Sequence, residues 1–168
     1  KYDANIVVRT TDEFGDLASS FNAMRLAIAE REQHISHQAT HDDLTDLPNR
    51  AMVLKYLGQQ INDAQGGEQR IAVLSLHIAH MSQISSTLGH KASDELIIQA
   101  ARHLRANLDA TDMLGRTGTN EFALVLPGSN IDDALARVER IEHILGSGVT
   151  LDNTDISLQP EVGVAVYP

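Results

Sequence analysis

Two histidines and several acidic residues stand beside apolar segments, where neighbouring strands bring side chains together. His77 and His80 close the apolar run that begins at Ile71, and Glu121 follows the tight turn of residues 118–120. Imidazole and carboxylate groups are ligands for transition metals, but no third ligand accompanies the two histidines. We interpret them as ordinary strand-end residues, with a transition-metal site as the weaker alternative.

The segments around these residues alternate between strand and helix patterns. The near-continuous apolar run 71–78 predicts a central strand covered on both faces. Strands at 113–117 and 121–126 flank the turn and predict a β-hairpin. A last strand or strand pair is predicted at 156–166. Strands that alternate with helices, together with one hairpin, predict an α/β fold with a mixed sheet flanked by helices.

Amphipathic spacing predicts the helices between these strands. The first spans about residues 50–64, with Val53, Leu54, Leu57 and Ile61 on its buried side. A short helix reaches about Leu88, and a longer one begins at a Ser93 cap and runs to about Leu108. Another helix is predicted at 132–145.

Composition limits the classes of function. A hydrophobic fraction of 42% in 168 residues is ordinary for one globular domain with a short helical appendage. The net charge of −10 argues against a nucleic-acid or anionic-membrane surface. The absence of cysteine excludes disulfides and thiolate zinc sites. No run approaches the roughly 18 apolar residues of a membrane span.

A heptad pattern begins near the N-terminus. Apolar residues alternate at spacings of three and four, at Phe14, Leu17, Phe21, Met24, Ile28 and Ile35, with Arg31 interrupting the series. This spacing predicts a coiled-coil seam and a parallel homodimer. The alternative is a helix that packs on its own domain.

Two stretches resemble known families. DEFGDLASSFNAM, residues 12–24, is similar to the start of the second helix of a HAMP signalling module. HDDLTDLPNR, residues 41–50, resembles the opening of GGDEF domains, and LGHKASDELI, GRTGTNEFALVLP and GVAVYP follow at the family's spacing. The resemblance implies a HAMP half and signalling helix at 1–36. It also implies a nucleotide-cyclase-like palm at 37–168 whose C-terminal end is missing.

The resemblance also implies which residues would do chemistry. An active GGDEF domain joins two GTP molecules with divalent metal held by carboxylates. His77 and Asn120 stand where the family has metal-binding acidic residues, so we expect no metal site. The signature reads Gly118, Thr119, Asn120, Glu121 and Phe122, with Thr119 in place of a glycine. We therefore expect no catalytic site, no cofactor and no enzyme activity.

The same resemblance implies that the residues that recognise the nucleotide are partly retained. Ser85 replaces a base-reading Asn, whereas Asp94 keeps the position of a base-reading Asp. Asp94 and Glu121 are thus the remnant of the nucleotide site, although Asp94 also suits the first turn of a helix, where the helix dipole favours a carboxylate.

Two further family positions lie close to the signature. The family's RxxD inhibitory site falls at Asp109 and Asp112, and an Asp in place of the Arg removes the phosphate donor. Arg116 matches a family arginine, with a surface cation as the alternative.

These features predict an inactive relay module in a membrane-bound cyclic-di-GMP receptor at the cytoplasmic face of the inner membrane. We expect a downstream EAL domain in the same chain and cyclic-di-GMP bound outside this segment. The alternatives are a GTP-binding allosteric module without turnover, and an interaction scaffold of the kind that assists RNA turnover.

Overall fold

The computed structural model describes residues 13–64, 69–151 and 154–168, and the chain divides into two compact units, 1–39 and 40–168. The first unit contains helix α1, Glu13–Gln38, so a helix is present where the signalling helix was predicted, and its signalling role stays a prediction. Residues 1–12, where the HAMP resemblance begins, and the side chain of Phe14 lie outside the described part. The other seam side chains are exposed, namely those of Leu17, Phe21, Met24, Ile28 and Ile35.

The second unit is an α/β domain. Its strands are β1 (Ile71–Ile78), β2 (Met113–Arg116), β3 (Glu121–Pro127), β4 (Val149–Leu151), β5 (Thr154–Ile156) and β6 (Pro160–Tyr167). Its helices are α2 (Arg50–Ala64), α3 (Met81–Leu88), α4 (His90–Arg105) and α5 (Ile131–Gly146). The main sheet has the order β2-β3-β1-β6, and β4 and β5 form a small separate hairpin that the sequence pattern did not indicate.

The palm-like fold with a central β1 is confirmed, but the sheet is antiparallel and not mixed. Each pairing in the main sheet, β1–β3, β1–β6 and β2–β3, is antiparallel. The crossover through α3 and α4 gives β2 the same direction as β1. Since β3 is the hairpin partner of β2 and lies between them, no two of the four described strands pair in parallel. A single parallel bridge joins Asn49 to Arg116 of β2.

Two predictions about helices are wrong. The helix expected to start at a Ser93 cap begins at His90, because Gly89, with φ of +87°, already breaks the chain after α3. Leu54 is exposed, since α2 turns Val53 towards the sheet.

The core of the second unit is built around strand β1. Leu74, Leu76 and Ile78 are fully buried, and the predicted stripe of α4 packs against them. Within the described ranges, no helix combines the length and apolar composition needed to cross a bilayer.

Candidate functional site

The signature hairpin is anchored to the segment that opens the second unit. Arg116 donates from Nη1 to both carboxylate oxygens of Asp42, at 2.8 and 3.0 Å, and from Nη2 to the carbonyl of Thr119 at 2.6 Å. Its backbone N–H also donates to the carbonyl of Pro48 at 2.9 Å. One side chain therefore ties the signature turn to the motif of residues 41–50.

This ion pair is largely removed from water. The side chain of Arg116 is 10% exposed and that of Asp42 is 24% exposed. Burial raises the pKa of Asp42, but hydrogen bonds from Arg116 and Thr45 and the Arg116 charge outweigh it and hold the pKa below its ordinary value of 3.8. The alternative of Arg116 as a surface cation is therefore wrong: it is a structural anchor of the hairpin.

On the other side of the turn, the side chains at the two positions where the resemblance implies metal-binding acids contact each other. Asn120 Nδ2 lies 2.8 Å from Nε2 of His77 and donates to the carbonyl of Ile78, also at 2.8 Å. His77 Nδ1 lies 3.2 Å from Oε2 of Glu161. The register explains the meeting, because His77 of β1 pairs with Glu121 of β3 and with Glu161 of β6.

The resemblance implies a divalent metal here, and the donor set of this structure tests whether one fits. Magnesium prefers hard oxygen ligands at near-ideal octahedral geometry. Position 77 supplies an imidazole and position 120 presents its amide N–H groups, so neither offers a carboxylate. In the described part of the chain, no three His, Asp or Glu side chains converge as a metal site would require. The residues at these two positions do not fit magnesium.

Glu121, the matching acidic residue of the signature, is exposed at the start of β3. Its Oε2 would lie 2.8 Å from a Cβ built on Gly118, so the carboxylate folds over the turn. A side chain at Gly118 would displace it. Glycine at this position therefore allows the turn and Glu121 to approach closely.

The residues expected to contact a base lie where α3 meets α4. The Oγ atom of Ser85 lies 2.9 Å from Nδ1 of His90. Asp94 is exposed on α4, and because this helix begins at His90, Asp94 lies beyond the first turn. Its interpretation as a first-turn carboxylate is therefore wrong, and the prediction of a base contact stays open.

Asp109 and Asp112 meet an arginine that sequence reasoning missed. Arg137 Nη2 on α5 lies 2.6 Å from Asp109 Oδ2 and 3.1 Å from Asp112 Oδ2, and Nη1 donates to the carbonyl of Asn107. No local pattern could show this pairing, since Arg137 is remote in sequence. Both acidic side chains at the RxxD position thus form ion pairs with the same arginine of α5.

Comparison with known proteins places this geometry in a family. The family model described as diguanylate cyclase, GGDEF domain, matches residues 39–168. A diguanylate cyclase from Pseudomonas aeruginosa, TpbB, is 30% identical over 159 residues, covering 94% of this chain and 37% of the relative. The bifunctional diguanylate cyclase and cyclic di-GMP phosphodiesterase MucR, from the same species, is 30% identical over 97% of this chain and 24% of its own length.

Solved structures agree with these relatives. The GGDEF domain of TpbB superimposes with a TM-score of 0.73 and 33% identity, covering 76% of each chain. The diguanylate cyclase SiaD from Pseudomonas aeruginosa, solved in complex with its activator SiaC, gives a TM-score of 0.73 and 26% identity over 92% of this chain and 60% of SiaD.

The comparisons correct one sequence-based expectation. The domain was expected not to be an enzyme, yet the relatives that match it are named diguanylate cyclases, which points to a cyclase. The expectation rested on single substituted side chains, such as His77 and Asn120. The similarity, in contrast, extends over the whole matched segment.

Proposed function

Because the chain belongs to the GGDEF family of diguanylate cyclase domains, we propose that it is the guanine-nucleotide domain of a cyclic-di-GMP signalling protein. We propose that it acts on GTP as a diguanylate cyclase, the activity for which its relatives are named. The observation that carries the proposal is the match of residues 39–168 together with relatives, 30% identical, that are named diguanylate cyclases. In the proposed reaction the 3′-hydroxyl of each GTP attacks the α-phosphate of the other. Two phosphodiester bonds form, and two pyrophosphates leave.

Asp94 is the residue we assign to the base. It is exposed on α4. Because this helix begins at His90, Asp94 lies beyond the first turn and its presence is not explained by the helix dipole. A carboxylate accepts hydrogen bonds only, which suits the adjacent N–H groups of the guanine edge. Glu121, exposed at the start of β3, is the second carboxylate that we assign to the nucleotide site.

The test is a product assay on the chain incubated with GTP and either magnesium or manganese ions. Chromatography should detect one cyclic-di-GMP for every two pyrophosphates released. Asp94→Ala should reduce GTP affinity on the order of 10-fold or more, because a hydrogen-bonded charged contact is lost. Glu142→Ala, which removes an exposed carboxylate of α5, is the matched control and should change nothing.

Absence of both product and GTP binding, in a sample shown to be folded, would contradict the proposal. GTP binding that Asp94→Ala leaves unchanged would contradict the assignment of Asp94 alone.

We also propose that α1 pairs with α1 of a second copy and carries the input signal. The heptad positions of this helix carry exposed apolar side chains at Leu17, Phe21, Met24, Ile28 and Ile35, which supports a parallel seam. Leu26 is also exposed but lies off these positions. Pairing two nucleotide domains in this way would suit a reaction that needs two GTP molecules, each held by one subunit.

Phe21→Asp tests the seam, because it places a charge at a predicted core position. Sedimentation should show loss of the dimer. Ala23→Asp, two residues away and off the seam, is the control and should retain it. A dimer that survives Phe21→Asp would refute the pairing.

The chain spans 37% of TpbB and 24% of MucR, so the rest of the protein is a matter of proposal. We propose a membrane anchor ahead of the HAMP-like segment and an EAL domain after the GGDEF domain; the bifunctional name of MucR supports the second. Sequencing the full gene and fractionating cells that express it would test both.

A further inference from the structure

A network of hydrogen bonds joins three strands at the edge where the resemblance implies a metal. It runs from Asn120, at the turn before β3, through His77 of β1 to Glu161 of β6. The side chains of His77 and Glu161 are 44% and 73% exposed, so the network lies at the surface of the sheet.

The direction of each hydrogen bond follows from the chemistry of the groups. The amide nitrogen of Asn120 can only donate, so Nε2 of His77 accepts with its lone pair. The neutral ring then carries its proton on Nδ1, which donates to the carboxylate of Glu161 at 3.2 Å. Each polar atom of the ring has a partner without any cation.

Asn120 also lengthens the strand pairing. Its backbone carbonyl accepts from the N–H of Ile78 at 2.9 Å, and its side-chain amide donates back to the carbonyl of Ile78 at 2.8 Å. This exchange imitates one more hydrogen-bonded pair of an antiparallel ladder. An Asp at position 120 has no such donor and would turn its lone pairs towards the Ile78 carbonyl.

We infer that Asn120, His77 and Glu161 take the place of a divalent cation, so that this edge of the sheet is held together without metal. A cation would need the lone pair of Nε2, which is engaged, and an oxygen at position 120, where the amide presents N–H groups. The inference concerns the nucleotide-free chain and goes beyond the proposed function. A cation can still arrive bound to the phosphates of GTP.

The first test measures the thermal unfolding midpoint of the nucleotide-free chain in magnesium, in manganese and in a chelator. The midpoints should agree within about 1 °C, since a ligand that binds only the folded state would raise them. A rise of about 3 °C or more with either ion that disappears in His77→Ala would overturn the inference. His143→Ala, an exposed histidine on α5, is the control for non-specific binding to imidazole.

The second test installs the acids that the resemblance implies. The double variant His77→Asp with Asn120→Asp places two carboxylates beside Glu161, so it should unfold at a lower temperature in chelator than the parent chain does. Magnesium should then raise its midpoint by several degrees. If magnesium leaves the double variant unchanged, these two side chains are not what excludes the ion, and the inference is wrong.

These readouts are independent of turnover. Failure of the GTP assay leaves the midpoints unaltered and bears only on the proposed function. A magnesium response of the parent chain bears only on the network.

Discussion

The signature hairpin is held on two sides by contacts of opposite character. On one side Arg116 and Asp42 form a charged pair with side chains 10% and 24% exposed. On the other side Asn120, His77 and Glu161 form a chain of hydrogen bonds that is open to water. The first side lies against the motif that opens the domain, and the second lies at the edge of the sheet where the resemblance implies a metal.

The two sides should differ in how much they stabilise the fold and in how readily they accept substitutions. A charged pair shielded from water interacts strongly, and removing one partner leaves the other charge buried. Exposed polar contacts compete with water and contribute little each. The Arg116 side can therefore accept few substitutions without loss of the fold. We expect the His77 side to accept changes of residue type at small cost in stability.

Arg116→Ala should have the largest effect. It removes the donors to Asp42 and to the Thr119 carbonyl, and we expect a loss of about 3 kcal/mol in the free energy of unfolding. Urea denaturation measures it. Arg102→Ala, on the exposed face of α4, should stay within about 0.5 kcal/mol. Equal effects of the two variants would contradict the anchoring role.

Gly115→Ala should come next. A Cβ at this position would clash with Cγ2 of Val53 and would lie 2.6 Å from the carbonyl oxygen of Pro48, so β2 would have to move away from the opening motif. Overpacking of this kind costs about 2 kcal/mol, measured by the same denaturation. Gly58→Ala, where the added Cβ meets nothing, is the control and should not destabilise α2. An unchanged stability in Gly115→Ala would show that the strand and the motif are not tightly packed.

The comparison also shows what the sequence could reveal. Periodicity located β1, the hairpin and α5 closely, because each has a strong apolar pattern and a marked turn or cap. It failed at Ser93, where a good capping residue lies inside α4, since the chain conformation at Gly89 decides where the helix starts. It also failed to find β4 and β5, whose three-residue strands are too short to show a pattern.

The sequence also could not predict which residues distant along the chain contact each other. The motif resemblance singled out His77 and Asn120 one at a time, as two lost ligands, but their contact with each other depends on the sheet register. In the same way Arg137 of α5 contacts Asp109, and Asp42 contacts Arg116 although 74 positions separate them. A single sequence indicates residue types, whereas the tertiary fold decides which of them neutralise each other.

The stability difference between the parent chain and Asp42→Asn should depend on pH. The folded pKa of Asp42 is depressed below its ordinary 3.8, so its ionised form stabilises the fold above that value. This contribution is lost as the pH falls through the folded pKa. At neutral pH the variant should be less stable by about 1–2 kcal/mol. Urea denaturation across a pH series should show the gap to the parent chain narrowing below pH 3.8. A gap that widens on acidification would reverse the sign and contradict the pairing.

Glu161→Gln should have the smallest effect, and it directly tests the exposed side of the hairpin, which Asn120, His77 and Glu161 form. Glutamine keeps an oxygen that can accept from Nδ1 of His77 and removes only an exposed charge, so the free energy of unfolding should change by no more than about 0.5 kcal/mol. Glu139→Gln, an exposed acid of α5, provides the baseline for removing one negative charge from a chain of net charge −10. A loss above about 1 kcal/mol relative to that baseline would mean that the edge of the sheet depends on a specific charge–imidazole contact. The two sides of the hairpin would then resemble each other in strength, and substitutions at His77 would be as constrained as those at Arg116.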